Sequence, residues 1–528
     1  MADRLFTRRH FLKTALAGAA ATALPCPARA VKPSETRPLR PPKDKPNIVF
    51  ILADDMGFGD LACQNPASKV PTPHLDRLAA EGVRFTDAHS PSAVCSPTRY
   101  GLLTGRYCWR TRLKRSVLWC WSRPLIEPDR LTVGKLCKAH GYDTACIGKW
   151  HLGMGWPTTD GKAPVGRGRT QAKGSGGNVD FTKPIAHGPT TRGFDYYFGT
   201  AVPNFPPYCF VENERTVGIP TVEKPRGMFG CPGPMLEGWK LENILPGLMD
   251  KAVAYIDAKG GRSTHAAFRQ TKGSPFFLYL PLTAPHTPIA PAEAFRGASK
   301  AGAYGDFVHQ VDHVVGQVRA ALKRNGFEDN TLLIFTSDNG SPARNGRNMS
   351  GPVRSVLKYG HNPSGIYRGI KADAYEGGHR VPFLARWPGR TRAGTTCDQT
   401  ICHTDLLATV AGILGATLPD NAGEDSYDIR AAIEGKRLAA PIREATVHHS
   451  IGGMFCIRQG KWKLIAGRGS GGWTRVKTPK TDPPGQLYDM TADPSEKKNL
   501  WRDNPDVVHR LTALLSKYKK QGHSRPRT

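Results

Sequence analysis

Cys95 heads the segment Cys95-Ser96-Pro97-Thr98-Arg99, in which a thiol, a helix-opening proline and a guanidinium follow one another at fixed spacing. Ser96 can cap and Pro97 can open a helix that Gly105 would close. Residue 95 then sits at the positive end of a helix dipole, where an oxyanion is stabilised. Arg99 lies four positions on, so it can share the helix face and reach back toward residue 95. A lone cysteine is more often an inert buried thiol, so the argument depends on what gathers around it. Asp54, Asp55, Asp338 and Asn339 offer hard oxygen ligands, suited to calcium or magnesium rather than zinc. Lys149, Lys371 and Arg99 could hold the charged oxygens of a tetrahedral anion, and His151 and His286 can move protons near neutral pH. His361, Arg368, Arg380, His403 and His449 are candidates for reading the rest of a substrate, each with an ordinary structural role as the alternative.

Four short apolar runs end in these polar residues. Residues 48–53 precede Asp54, residues 144–147 precede Lys149 and His151, residues 276–282 precede His286, and residues 332–336 precede Asp338. They read as buried strands of a mainly parallel sheet with helices between them, an α/β fold. In open α/β sheets ligands collect beyond the carboxyl ends of the strands, so four loaded strand ends point to one site. A helix is predicted from Thr72-Pro73 to Gly82 and another over residues 131–140. Two stretches rich in Gly, Arg and Lys, residues 157–180 and 341–365, read as long loops that either line a cleft or are solvated insertions. The expected domain boundaries put one catalytic domain at 46–440. A smaller α+β C-terminal subdomain follows at 441–528, with short antiparallel strands near residues 455, 462 and 486 and a closing helix from about 504 to 519.

The chain has 528 residues and a formal net charge of +30. Residues 1–30 carry Arg8-Arg9 ahead of a short apolar run and end in Ala28-Arg29-Ala30, which reads as a twin-arginine signal peptide; residues 31–45 read as a linker. The apolar run is too short to span a bilayer, and no other segment reads as transmembrane. Export through the Tat translocon to the periplasm or beyond is therefore expected. The 12 cysteines lack metal-type spacing and read mostly as buried small residues. A field this basic attracts polyanions. Nucleic acid is not expected, because no basic helix interleaved with aromatics appears. For an exported protein the expected partner is a sulfated polysaccharide or an anionic cell-surface polymer.

Beyond these readings, the chain resembles the type I sulfatases of the alkaline phosphatase superfamily. The resemblance is carried by residues 47–57, by Cys95 to Arg99 with Leu103-Thr104-Gly105-Arg106, and by Gly148-Lys149-Trp150-His151-Leu152-Gly153. It continues through Ala284-Pro285-His286-Thr287-Pro288, Ser337-Asp338-Asn339-Gly340, Lys371 and residues 376–382. It implies an alkaline phosphatase-like fold and hydrolysis of sulfate esters, arylsulfatase-like; the natural substrate depends on loops outside these motifs, and the basic charge of an exported protein makes a sulfated carbohydrate the expected one. It implies that Cys95 is oxidised to formylglycine by a formylglycine-generating enzyme before export. Asp54, Asp55, Asp338, Asn339 and residue 95 would bind one calcium ion. Arg99 would steady the hydrated aldehyde, Lys149 and Lys371 would bind sulfate oxygens, His286, with Lys371, would protonate the leaving alcohol, and His151 would take a proton as sulfate is expelled. The competing readings are a phosphate or phosphonate ester hydrolase of the same superfamily, and a polyanion-binding protein without turnover in which Cys95 stays a thiol.

Overall fold

Alternate residues along a single strand explain the layering. Val49, Ile51 and Ala53 pack into one apolar cluster with Leu75, Leu248, Val308 and Val311. Ile48, Phe50 and Leu52 face the other way, into a cluster with Tyr100, Leu103, Leu136 and Val410. With both faces covered, the strand has no polar side to show, which is why its sequence reads as an unbroken apolar run. This computed structural model describes residues 45–167, 174–262, 268 and 273–527. The export segment, nearly all of the linker and part of the 157–180 loop lie outside the described residues.

The four apolar runs are strands Asn47–Asp54, Asp143–Lys149, Phe276–Pro285 and Thr331–Ser337. They lie in a 10-stranded sheet. Asn47–Asp54 is sandwiched between Phe276–Pro285 and Thr331–Ser337, parallel to both, with Phe50 level with Tyr279 on one side and Ile334 on the other. Asp143–Lys149 and Tyr196–Thr200 extend the parallel run, while Phe383–Arg386 joins antiparallel beyond Thr331–Ser337. The register slips once, because Leu52 pairs with Pro281 but Asp54 pairs with Pro285. His286 therefore leaves its strand directly after the residue level with Asp54.

The predicted helices form at Pro73–Glu81 and Val133–Ala139. The helix at the cysteine starts two residues earlier than expected. It spans Cys95–Thr104 with Val94 as the N-cap, and Ser96 does not cap it. The Ser96 hydroxyl instead accepts the Leu118 N–H at 3.1 Å, a tertiary contact that no local pattern foretells. Gly105 does close the helix, in the left-handed region at φ +64°, with its N–H on the Gly101 carbonyl.

A separate four-stranded antiparallel sheet is built from Thr446–His449, Phe455–Gln459, Trp462–Ile465 and Gln486–Asp489. The closing helix, Pro505–Gln521, packs Leu511, Leu515 and Tyr518 against Ile457, Leu464 and Leu487. Buried charge ties this sheet to the main one. Asp87 receives Arg380, and Arg458 approaches it at 3.2 Å. Lys463 lies 2.9 Å from Glu376 and 2.8 Å from Glu496. The Glu376–His379 turn held by this seam follows Lys371 by a few residues, so the second sheet steadies a segment that enters the site.

Burial opposes ionisation of Asp87, but Arg380, Arg458 and His89 outweigh it and hold the carboxyl below its ordinary range. Its contribution to stability is therefore present above the unfolded value near pH 4 and is lost as pH falls below that. Asp87→Asn should cost roughly 3 kcal/mol at pH 7, since it strands buried arginines. In urea unfolding, the gap between wild type and variant should narrow as pH drops below about 4; a pH-independent gap would contradict the ion-pair account.

Candidate active site

The strand ends converge as the spacing implied. The Cys95 thiol, only 2 % exposed, points at Asp54 Oδ1 at 3.7 Å, and the Lys371 ammonium lies 3.5 Å from its sulfur. Ligand atoms of Asp54, Asp55, Cys95 and His286 all fall within 4.8 Å of one another. Each carboxylate meets a different cation. Lys149 donates to Asp54 at 2.7 Å, Lys371 to Asp55 at 2.5 Å, and Arg99 to Asp338 at 2.8 and 3.1 Å. The Arg99 guanidinium also donates to the Lys149 carbonyl at 2.9 Å and lies 3.6 Å from Asp54. It is fully buried and engaged by Asp338, Asp54 and the Lys149 carbonyl, so it positions Asp338 and the Lys149 segment. Asn339 donates to Asp55 at 2.7 Å.

Burial, then the nearby Asp338 carboxylate, pushes the Cys95 thiol up to about 12, so at neutral pH it is a thiol rather than a thiolate. A sulfur in this state is a poor nucleophile. Burial also opposes ionisation of Asp55, but Lys371 and His286 outweigh it and hold this carboxyl below its ordinary range. Asp338 is raised, by burial and by Asp54 beside it. Such crowding of carboxylates suits a divalent cation. The Asn339 side-chain oxygen gives the independent test, because it is buried and has no hydrogen-bond partner. An orphaned acceptor among three carboxylates fits a hard cation with oxygen ligands. Asp54, Asp55, Asp338 and Asn339 are thus a fitting donor set.

Both histidines are oriented by main-chain carbonyls. His286 Nδ1 lies 2.5 Å from the Thr287 carbonyl, so it carries the proton and leaves Nε2 facing Asp55 at 3.8 Å. His151 Nε2 donates to the Leu118 carbonyl at 2.9 Å, and its Nδ1 has no partner. Burial first, then the lysines, holds both rings well below the ordinary imidazole range, so each is neutral before an anion arrives. Asp55, His151 and Ala372 adopt left-handed backbone at φ +68°, +53° and +80°. Each costs on the order of 1 kcal/mol, a strain the surrounding packing must hold in exactly the segments that deliver Asp55, His151 and Lys371.

The five side chains offered as substrate readers are held in other contacts. His361 pairs with Asp60 at 2.7 Å, Arg380 with Asp87 and Glu376, and His403 with Thr336 at 2.9 Å. Arg368 donates to the Glu496 carbonyl at 2.6 Å, and His449 bonds the Ser450 carbonyl. A second buried group, His89, His379 and His448, also has ligand atoms close together. The His379 and His448 rings stack in parallel at 4.2 Å and 9°, so their in-plane lone pairs cannot meet at one ion. Two residues that the sequence did not single out approach the site. The Arg344 guanidinium and the Lys371 ammonium each lie 6.0 Å from the centre of the Trp473 indole. Trp473 belongs to a glycine-rich loop beyond residue 440, where nothing in the local pattern ties it to Lys371.

A family model described as Sulfatase matches residues 46–416, and one described as the twin-arginine translocation pathway signal sequence matches residues 5–25. The signal directs export by that route, to the periplasm or the exterior, and among the described residues no helix is long and apolar enough to cross a membrane. An N-acetylgalactosamine-6-O-sulfatase of Bacteroides thetaiotaomicron is 34% identical over 516 residues, covering 90% of this chain and 93% of that protein. Human arylsulfatase A is 32% identical over 495 residues, covering 89% and 87%. A solved structure from work on the metabolism of multiple glycosaminoglycans by Bacteroides thetaiotaomicron superposes with a TM-score of 0.73 at 32% identity, covering 90% of this chain and 99% of that one. The family match runs through every strand end that delivers a residue to Cys95, and the chain therefore belongs to the sulfatase family and is a sulfuric ester hydrolase.

Proposed function

We propose that the protein removes sulfate from a sulfated carbohydrate, with residue 95 oxidised to formylglycine by a formylglycine-generating enzyme before export and one calcium ion held by Asp54, Asp55, Asp338, Asn339 and residue 95. The observation that carries this reading is the buried thiol at a helix start, ringed by oxygen donors and two ammoniums. When bound, calcium supplies charge compensation at sulfuryl oxygens, and the aldehyde supplies an oxygen nucleophile that the thiol lacks. The chain's own residues do the rest. Lys149 and Lys371 hold sulfuryl oxygens, and both are free to turn from Asp54 and Asp55 once a cation neutralises those carboxylates. Arg99 keeps Asp338 and the Lys149 segment in place. Nδ1 stays fixed on the Thr287 carbonyl, so once the sulfate anion is bound and the ring has taken a second proton from solvent at Nε2, His286 Nε2 gives that proton to the leaving alcohol and returns to the neutral form. His151 Nδ1, which has no other partner, accepts the proton that must leave residue 95 when sulfate departs.

The saccharide assignment is supported by similarity to an N-acetylgalactosamine-6-O-sulfatase and by the strongly basic chain. The test is turnover of a panel of sulfated N-acetylhexosamines and glycosaminoglycan fragments alongside 4-nitrophenyl sulfate. A sugar alcohol is a poorer leaving group than a nitrophenolate and depends more on an acid. His286→Ala should therefore lower kcat on the sugar sulfate by about 1000-fold, but on nitrophenyl sulfate by only about 10-fold. Equal losses on both substrates would remove His286 from the general acid role. Wild-type activity confined to aryl sulfates would overturn the saccharide reading.

A further inference from the structure

We infer that Trp473 is a sugar-stacking platform at the mouth of the site, with Arg344 beside it to read a polar or anionic substituent of the same ring. The inference rests on the saccharide reading above and names the residues that would enforce it.

Trp473 is 38 % exposed, the one tryptophan among the exposed large apolar residues of the described chain. A single exposed ring is ordinary by itself; what sets this one apart is its place beside Lys371. Its mounting is rigid. The Ser470 carbonyl accepts the Ala374 N–H at 2.8 Å, and the Ser470 hydroxyl donates to the Thr474 carbonyl at 2.7 Å. Asp373 accepts both the N–H and the hydroxyl of Thr474. A Cβ on Gly472 would stand 2.2 Å from the Ala372 carbonyl, so only glycine lets the loop press this closely. The loop is thereby clamped to residues 372–374, directly after Lys371.

The spacing matches a substrate. The Lys371 ammonium lies 6.0 Å from the indole centre. The path from ammonium to indole runs through an N–H···O contact of about 3 Å to a sulfate oxygen, the bent S–O–C link of the ester and a carbon-to-ring contact of about 4 Å, so it is longer than the straight-line distance and reaches the indole by folding back over it. A ring that carries its sulfate on Lys371 thus comes to rest against the indole. Arg344 is also 6.0 Å from the indole centre, is anchored through the Gly351 carbonyl at 2.6 Å, and lies close enough to Asp55 to feel its charge. An apolar face with a guanidinium 6.0 Å from its centre suits a pyranose, which offers C–H groups on one face and hydroxyl or carboxylate groups at its rim. Beyond Trp473 the same loop lines a cavity of about 480 Å³ with Thr474, Arg475 and Lys477, shared with Arg354 and Arg368. An anionic chain continuing from the stacked ring would meet cations there.

The test measures KM and kcat for the sulfated saccharide that the wild type turns over best, together with inhibition by inorganic sulfate, which probes the anion pocket alone. Trp473→Ala should raise KM for the saccharide about 30-fold, Trp473→Phe should stay within about 3-fold of wild type, and the sulfate Ki should move by less than about 2-fold in both. Arg344→Ala should raise KM more for a saccharide with a second anionic group than for a singly sulfated one. An unchanged saccharide KM in Trp473→Ala, or equal shifts in saccharide KM and sulfate Ki, would overturn the platform while leaving the saccharide reading intact. A wild type that turns over no saccharide would overturn both.

Discussion

Cys95→Ala should lower kcat/KM for any sulfate ester by about 10,000-fold or more, because its Cβ is a methyl group with no thiol for the modifying enzyme to oxidise to the aldehyde. Cys95→Ser behaves alike in a host whose modifying enzyme acts on cysteine. The loss should not come from unfolding. Removing one sulfur from this buried site costs only on the order of 1–2 kcal/mol, and the helix is fixed by its tertiary contacts, including Ser96 on Leu118. Peptide mass spectrometry of the active protein should show an aldehyde at residue 95 in place of the thiol. An active enzyme with only the thiol there would contradict the proposal. Its sulfur, pushed up to about 12 by burial, would then have to act as a neutral thiol. An inactive wild type that binds sulfated polymers, modified or not, would favour the polyanion-binding alternative for this chain over turnover.

Exhaustive chelation should lower activity by at least about 100-fold and lower the melting temperature; calcium should restore both and zinc should not. The first half follows from the charge compensation a bound cation gives to sulfuryl oxygens, typically several kcal/mol. The second follows from linkage: a cation held at about 1000 times its dissociation constant stabilises the fold by about 4 kcal/mol. Without it, Lys149, Lys371 and Arg99 neutralise Asp54, Asp55 and Asp338, and the Asn339 oxygen has no partner. The two lysines are then tied to carboxylates and cannot hold a substrate anion. Elemental analysis should return one calcium per chain. Two zinc ions, with activity that follows zinc, would contradict the oxygen-donor site.

What the amino-acid order determined by itself was the set of strands and what each one carries. Residues 48–53 and 332–336 are apolar without alternation because both faces of their strands are covered, and that pattern is local and readable. Parallel strands deliver their carboxyl ends to one edge, so Asp54, Lys149, His286 and Asp338 had to meet near Cys95. Lys371 comes from 316 residues beyond Asp55, yet the motif around it, Lys371 with residues 376–382, was legible. Only the tertiary structure decided which cation faces which carboxylate, because burial and register choose among partners that composition leaves equivalent. It decided that Arg99 is engaged by Asp338 and the Lys149 carbonyl, and that Ser96 serves Leu118 instead of capping its own helix. It turned Arg380, read as a possible substrate contact, into half of a buried seam with Asp87. And it brought Trp473 beside Lys371: glycines give that loop no helical or strand period, so its position is set by hydrogen bonds to Ala374 and Asp373, made across about a hundred residues of chain.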